Sequence, residues 1–311
     1  MTKEVRRPKR EWWIAGVAAG VVILLAVMWL DRGPEEPVYQ GCKVGEWLKG
    51  HPREYIPAMQ AVGTNALPYL LAELEARDGG LSRAAQKALS RLSIAPFWDT
   101  ARKRRYRARI GLQVLGKDIE AADVLLERVF ARPIQIKEDD PGWLAAGSLG
   151  WLTSPVAQAH IGERLGPAME SPDPDVRRNA CLAIAAGGNL GVDHGKRLVA
   201  LTADRVVAVR AAAIRALAVC RANEVVIPAM AARLEDEQAG IRWMAAHVLR
   251  MRGTNAVAAL PALRVAYEAE AKRASNREGA EGLPDEAKNA TPQRVRDAIR
   301  EAVERIEGKV F

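Results

Sequence analysis

Val209-Arg210-Ala211-Ala212-Ala213-Ile214-Arg215-Ala216-Leu217 is the stretch that decides how this chain folds. Its skeleton is apolar-Arg-x-x-Ala-x-x-small-apolar. The same skeleton runs through Val176, Arg177, Ala180, Ala183 and Ile184, starting 33 residues earlier. It returns in Ile241, Arg242, Ala245, Val248 and Leu249, starting 32 residues later. Offsets of 0, 4, 7 and 8 fall on one face of an α-helix. Alanine at the narrowest points lets a neighbouring helix approach closely. A degenerate copy without the arginine runs from Leu81 through Ala85, Ala88 and Leu89, and a fainter one from Pro141 through Ala145, Ser148 and Leu149. Self-similarity at a period near 32 residues is the mark of stacked units, each too small to bury its own apolar face.

A second amphipathic stretch precedes each copy. Pro68 lies 13 residues before Leu81, and Pro228 lies 13 before Ile241. Upstream stand helix-start signals, Gly63-Thr64-Asn65-Ala66 and Ala222-Asn223, and the Gly-Thr-Asn-Ala turn returns at 253–256. Glycine closes a helix by reaching positive φ, and Thr or Asn is expected to cap the next by accepting its free N–H groups. The expected unit is helix, turn, helix. The expected fold class is all-α, an α-solenoid of stacked antiparallel helix pairs.

These residues resemble the HEAT-repeat family, including its bacterial phycobilisome-lyase-like variants. The clear match covers 171–272 and a weaker one 52–170. The family carries a proline in its first helix and an Asp six residues before the Arg, and Asp204–Arg210 and Asp236–Arg242 fit that spacing. The resemblance therefore implies an Asp–Arg ladder through Arg177, Asp204, Arg210, Asp236 and Arg242. Ser171 occupies the Asp position in the first clear unit, so the ladder is expected to shift there. The segment 41–48, with Trp47 and Leu48, reads as a cap on the first unit.

Composition agrees. The chain has 311 residues, 49% apolar and only 5% aromatic, with three cysteines. Alanine, the best helix former, occurs 55 times. That excludes a disordered chain and argues against an all-β fold. Three scattered cysteines provide neither a disulfide framework nor a zinc site. The net charge of +8 is concentrated in two clusters, residues 1–11 and 102–109, and the remainder is close to neutral.

Residues 12–30 contain no charge, and Trp12, Trp13 and Trp29 stand at the two ends. Nineteen apolar residues span about 28 Å as a helix, the thickness of a bilayer core. The flank Trp29-Leu30-Asp31-Arg32 has no small-x-small cleavage site, so the segment reads as an uncleaved single-pass anchor. Five Lys and Arg precede it and only Arg32 and Lys43 follow closely. Positive-inside then puts the N-terminus in the cytoplasm and the remaining chain on the extracytoplasmic side, the periplasm in a bacterium. The expected organisation is a basic cytoplasmic tail (1–11), transmembrane helix (12–30), extended spacer (31–40), repeat solenoid (41–272), flexible charged linker (273–290) and C-terminal amphipathic helix (291–309). In the last, Thr291-Pro292 opens a helix whose apolar face is Val295, Ile299, Ala302, Val303 and Ile306.

Chemistry is sparse. His51, His160, His194 and His247 form no metal-ligand pattern beyond the lone pair His160 and Glu163. His247 reads as a packed repeat-helix residue. The glycine cluster 188–195, with Asp193 and His194, follows a helix and lacks a Lys-Ser/Thr ending, so it is a poor phosphate cradle. Cys181 and Cys220 sit at mismatched heights for a disulfide, and Cys42 reads as an unpaired thiol. The strongest local anomaly is Arg102, Lys103, Arg104, Arg105, Arg107 and Arg109. At about 100° per residue these six cations point all round a helix, so this turn is expected to be buried on no side. It is a candidate contact for an acidic partner or polyanion, with Trp98 and Tyr106 as stacking neighbours. The expected function is a membrane-anchored, non-enzymatic scaffold binding a protein partner. No cofactor, small-molecule substrate or nucleic acid is expected. The alternatives are a lyase-like enzyme of the repeat family, or a polyanion or nucleic-acid binder acting through 102–109.

Overall fold

The structure is a computed structural model that describes residues 34–91, 93, 99–116, 119–137, 140–188, 194–273, 283 and 285–308. The tail 1–11, the anchor 12–30 and most of the linker, at 274–282 and 284, lie outside the described residues. Among the described residues no helix is long and apolar enough to cross a membrane.

The described chain is mostly helical, consistent with the all-α class. The exception is a short antiparallel hairpin, β1 Val38–Tyr39 and β2 Cys42–Lys43. Gln40 and Gly41 at its tip both have positive φ, 49° and 78°, as a tight hairpin turn requires. It folds 38–40 back across the expected spacer boundary, and Tyr39 O accepts from Trp47 Nε1 at 3.1 Å.

The helices are α1 Val44–Trp47, α2 Pro52–Val62, α3 Leu67–Leu74, α4 Gly80–Arg91, α5 Ala101–Val114, α6 Ile119–Phe130 and α7 Pro141–Leu149. They continue as α8 Pro155–Met169, α9 Pro174–Gly187, α10 Gly195–Leu201, α11 Val207–Val219, α12 Asn223–Arg233 and α13 Ala239–Arg252. The last three are α14 Leu260–Glu270, α15 Asp285–Lys288 and α16 Pro292–Ile306. Several start on proline in the first turn behind a side-chain cap. Asp173 Oδ1 accepts from Asp175 N at 2.8 Å, and Asp140 Oδ1 from Trp143 N at 3.0 Å. Proline fits there because the N–H it lacks has no helical partner.

Two rows result. Helices α6, α8, α10, α12 and α14 pack successively in one row; α7, α9, α11, α13 and α16 pack successively in the other. Each member of the first row also packs on the next helix of the second, as α8 does on α9. The three clear copies of the sequence skeleton lie in α9, α11 and α13, and the fainter Pro141 copy in α7. Their offset 4, 7 and 8 residues are buried, Ala213, Ala216 and Leu217 of α11 completely. At Gly150 a Cβ would collide with the backbone of Gly187, so the ends of α7 and α9 meet at a distance only glycine allows.

Several expectations are corrected. The two Gly-Thr-Asn-Ala turns do close α2 and α13 with positive φ, 61° at Gly63 and 54° at Gly253. Neither Thr nor Asn caps the following helix, because the turns continue as 3-10 helices, Gly63–Ala66 and Gly253–Ala259, straight into α3 and α14. Asn223 likewise starts α12 with no side-chain cap from Ala222. The copy at Leu81 forms α4, but the side chains of Leu81, Ala85 and Ala88 lie outside the described ones. Helix α3 packs on α5. There Arg104, Arg105, Ala108, Gly111 and Leu112 occupy offsets 0, 1, 4, 7 and 8 of the skeleton. Ala108, Gly111 and Leu112 are buried, and a Cβ on Gly111 would sit 2.6 Å from Leu70 Cδ2.

The C-terminal helix is not separate either. Helix α16 packs on α13 and α14, burying Val295, Ile299, Ala302 and Ile306 as expected. It carries the skeleton again, as Val295, Arg296, Ile299, Ala302 and Val303. Part of the linker is also anchored: α15 lies on α13, and Leu283, Ala287 and Ala290 are buried.

Candidate functional site

The ladder is present and runs differently from the spacing. Arg210 does not meet the carboxylate of Asp204 six residues earlier. Its Nη1 donates to the Asp204 backbone oxygen at 2.9 Å, and its Nη2 reaches Asp236 Oδ1 at 3.1 Å, one pair onward. Asp204 is taken instead by Arg177, through Nε at 2.8 Å and Nη2 at 3.1 Å. Arg177 also donates to the Ser171 and Pro172 carbonyls. Arg242 repeats the scheme, donating to the Asp236 and Glu237 carbonyls and gripping Glu270 with Nε and Nη2. Each guanidinium thus ties its own turn to the carboxylate of the following one. Side-chain exposure along the ladder is 10% or less, so its charges are desolvated and matched.

This geometry explains Ser171. A carboxylate there would receive an arginine from α7, but the arginine position of α7 is Gly142. Ser171 keeps the local half of the role, its Oγ accepting from Asp173 N at 3.2 Å as Asp204 Oδ1 does from Val206 N at 2.8 Å.

The basic run on α5 is not exposed all round. Ala101 and Ala108 are buried, and Arg104, Arg105, Arg107 and Arg109 are half-buried. Arg104 forms a fork on Glu73, with Nε 3.0 Å from both oxygens; the hydrogen bond to Glu73 holds its guanidinium charged more firmly than usual. Arg107 grips both oxygens of Asp99 at 2.9 and 2.8 Å, and that bond holds the Asp99 carboxyl below its ordinary range. Arg102 and Lys103 remain exposed beside Tyr106. Trp98 lies outside the described residues. The expected polyanion site is thereby reduced, because paired and half-buried guanidiniums offer little to a ligand.

Sequence reading missed a surface groove. A groove of about 560 Å³ crosses α7, α9, α11 and α13. Its walls are Trp143, Ile214, Trp243, Met244 and Val248, with Ala185, Ala218 and Val219 between them and Arg215 and His247 at its polar points. Trp243 and His247 stack with centroids 5.3 Å apart and planes 14° from parallel. Arg250 Nη2 lies 3.2 Å from His247 Nδ1, and Arg250 Nη1 is 3.4 Å from Glu301 on α16. The signal was available in the register: Trp143 and Trp243 both stand at offset 2 of the skeleton, and His247 and Arg215 at offset 6.

The remaining titratable residues are held locally. His160 Nε2 lies 2.8 Å from Asp123 Oδ1, shared with Arg164. His51 caps α2 by accepting from Arg53 N. His194 is buried at the start of α10, while 189–193 lie outside the described residues. Among the described residues no group of three His, Cys, Asp or Glu could hold a metal ion. None of the three cysteines is in a disulfide; Cys42 is exposed, and burial pushes the Cys181 thiol up to about 12. No family model matches the chain, and no curated protein gives a significant match to its sequence.

Proposed function

We propose that this protein is a membrane-anchored, non-enzymatic scaffold of the HEAT-repeat kind: an α-solenoid of stacked antiparallel helix pairs, tethered by 12–30, that holds a protein partner on the extracytoplasmic side. The observation that carries the reading is the groove across α7, α9, α11 and α13. It is apolar and runs across four successive helices, a length of surface that suits a partner's chain. Two half-buried tryptophans at its walls are the residue type that dominates binding energy in protein interfaces. The packing of the two helix rows and the pair-to-pair arginine contacts support the repeat reading.

Two measurements test it. A C-terminal fusion to a reporter active only outside the cytoplasm is expected to be active; activity of a cytoplasm-only reporter instead defeats the topology. Photo-cross-linking in cells from Val219, an exposed residue on the groove, is expected to yield a reproducible protein adduct. Failure to recover any protein adduct from this position would defeat the scaffold reading.

A further inference from the structure

Helix α4, Gly80–Arg91, stands apart from the two rows: among the described residues no extensive packing of α4 on another element is found. Its sequence, Gly-Leu-Ser-Arg-Ala-Ala-Gln-Lys-Ala-Leu-Ser-Arg, holds no carboxylate, and none occurs anywhere from 79 to 98. At about 100° per residue, positions 81, 85, 88 and 89 fall on one face of this helix. Arg83, Lys87 and Arg91 recur every four residues on the other side, and all three are exposed. On α5 the comparable charges are neutralised within the protein, Arg104 by Glu73 and Arg107 by Asp99. No ion pair is found for Arg83, Lys87 or Arg91 among the described residues.

The excursion that carries α4 is rooted at the end of the stack nearest the 12–30 segment. It leaves after Asp78 and returns at Ala101, whose N–H donates to Asp78 Oδ1 at 3.0 Å. Beside that closure, Asp99 Oδ2 lies 3.9 Å from Lys49 Nζ, at the end of the 41–48 cap. The cap is held in turn to the chain before it. Gly45 N donates to Glu36 Oε1 at 2.7 Å, and Trp47 Nε1 to Tyr39 O at 3.1 Å. Six residues lead from Leu30 to Glu36, so even a fully extended chain separates them by at most about 20 Å.

We infer that α4 lies in the anionic surface of the bilayer, with Arg83, Lys87 and Arg91 among lipid headgroup phosphates and the face of positions 81, 85, 88 and 89 toward the acyl chains. This rests on the proposed anchor at 12–30 and adds a second, peripheral contact to it. A bilayer interface presents negative charge and apolar depth side by side, which suits a helix cationic on one side and apolar on the other. An acidic protein segment would match the cations and leave the second face uncovered. Each cation near anionic headgroups strengthens binding about fivefold, so three give a weak contact by themselves. The anchor makes the encounter intramolecular, and a weak contact then suffices. Two attachments, unlike one, fix which side of the stack faces the membrane.

The test uses the full chain in vesicles, one set of neutral phosphatidylcholine and one containing phosphatidylglycerol, each with and without doxyl-labelled lipid. A chain carrying Cys42→Ser and Leu89→Cys bears an NBD fluorophore at position 89. Quenching by the doxyl lipid is expected in the anionic vesicles and not in the neutral ones. Changing Arg83, Lys87 and Arg91 together to Gln is expected to lower the docked-to-free ratio about a hundredfold, which brings quenching down to the neutral level. The matched change of Arg294, Arg300 and Arg305 on α16 leaves it unaltered. No quenching in anionic vesicles, equal quenching in neutral ones, or equal loss in the two triple variants overturns the inference. Blue-shifted emission without lipid quenching also overturns it, because protein then covers the face. Should the triple variant fail to fold, the comparison of the two lipids in the chain with all three cations still decides. Retention on neutral vesicles through an alkaline wash reads the anchor separately. Release there defeats the anchor and leaves quenching at position 89 to judge α4.

Discussion

From α9 to α14 successive helix pairs are joined by the same device; from α2 to α7 each junction is joined differently. In the first region Arg177, Arg210 and Arg242 each bridge one turn to the next carboxylate. In the second, Arg104 reaches Glu73, Arg128 reaches Glu75, and Arg107 reaches Asp99. Asn179 clamps the segment after α6 by accepting from Ile134 N and donating to the Val129 and Arg132 carbonyls. Both regions keep the buried face of the skeleton. They differ at the edge, where skeleton starts are 33 and 32 residues apart in the first region but 37 and 35 from Arg104 to Pro141 to Val176. Repeating an apolar face requires only the helical period, whereas repeating an ion pair between neighbours requires constant unit length as well.

The sharpest way to break this contrast is Arg210→Ala. It strips Asp236, 4% exposed, of its closest cation, and breaking a buried pair costs about 3 kcal/mol or more; urea unfolding should show it as a lowered midpoint. Gly142→Ala comes next. A Cβ there would sit 2.9 Å from Ile134 Cγ1, and such overpacking costs about 1–3 kcal/mol. It would show that the ladder stops at α7 because the segment after α6 occupies the space an arginine needs. Arg104→Ala, whose side chain is 37% exposed, should cost about 1 kcal/mol. A loss equal to that of Arg210→Ala would erase the distinction between the two regions.

The smallest effect is in acid. The Asp99 carboxyl is held low by Arg107, so its contribution is complete above about pH 4, the unfolded value, and fades as pH falls through the lower folded one. Asp99→Asn should therefore lower stability slightly at neutral pH and converge with the parent well below pH 4, flattening the acid decline, as thermal melts across that range would record.

The legible parts of the sequence were those where the skeleton is unbroken. The helices at 176, 209 and 241 and the buried face of α16 lie where the spacing put them. The skeleton in α5 was hidden because Arg104 fills an apolar position and Gly111 a small one, substitutions tolerated where Glu73 receives the charge and Leu70 fills the gap. The copy in α16 was hidden by an isoleucine at the alanine position and by the long chain before it. The direction of the ladder was illegible in principle, since a spacing of six within a unit says nothing about which neighbour a carboxylate faces. The groove was missed because its rings and polar points, Trp143, Trp243, Arg215 and His247, occupy outward offsets, where no apolar pattern signals a contact.

That long chain has a consequence of its own. Residues 271–291 connect α14 to α16, where five residues connect α10 to α11 and five connect α12 to α13. Lengthening a connection from five residues to 21 costs only about 1.2 kcal/mol in closure entropy, and the face of α16 buried on α13 exceeds that many times over. The stack therefore has a natural port: a place where foreign sequence, a tag, a sensor or a whole additional module, could be spliced between two helices that already find each other across a wide gap.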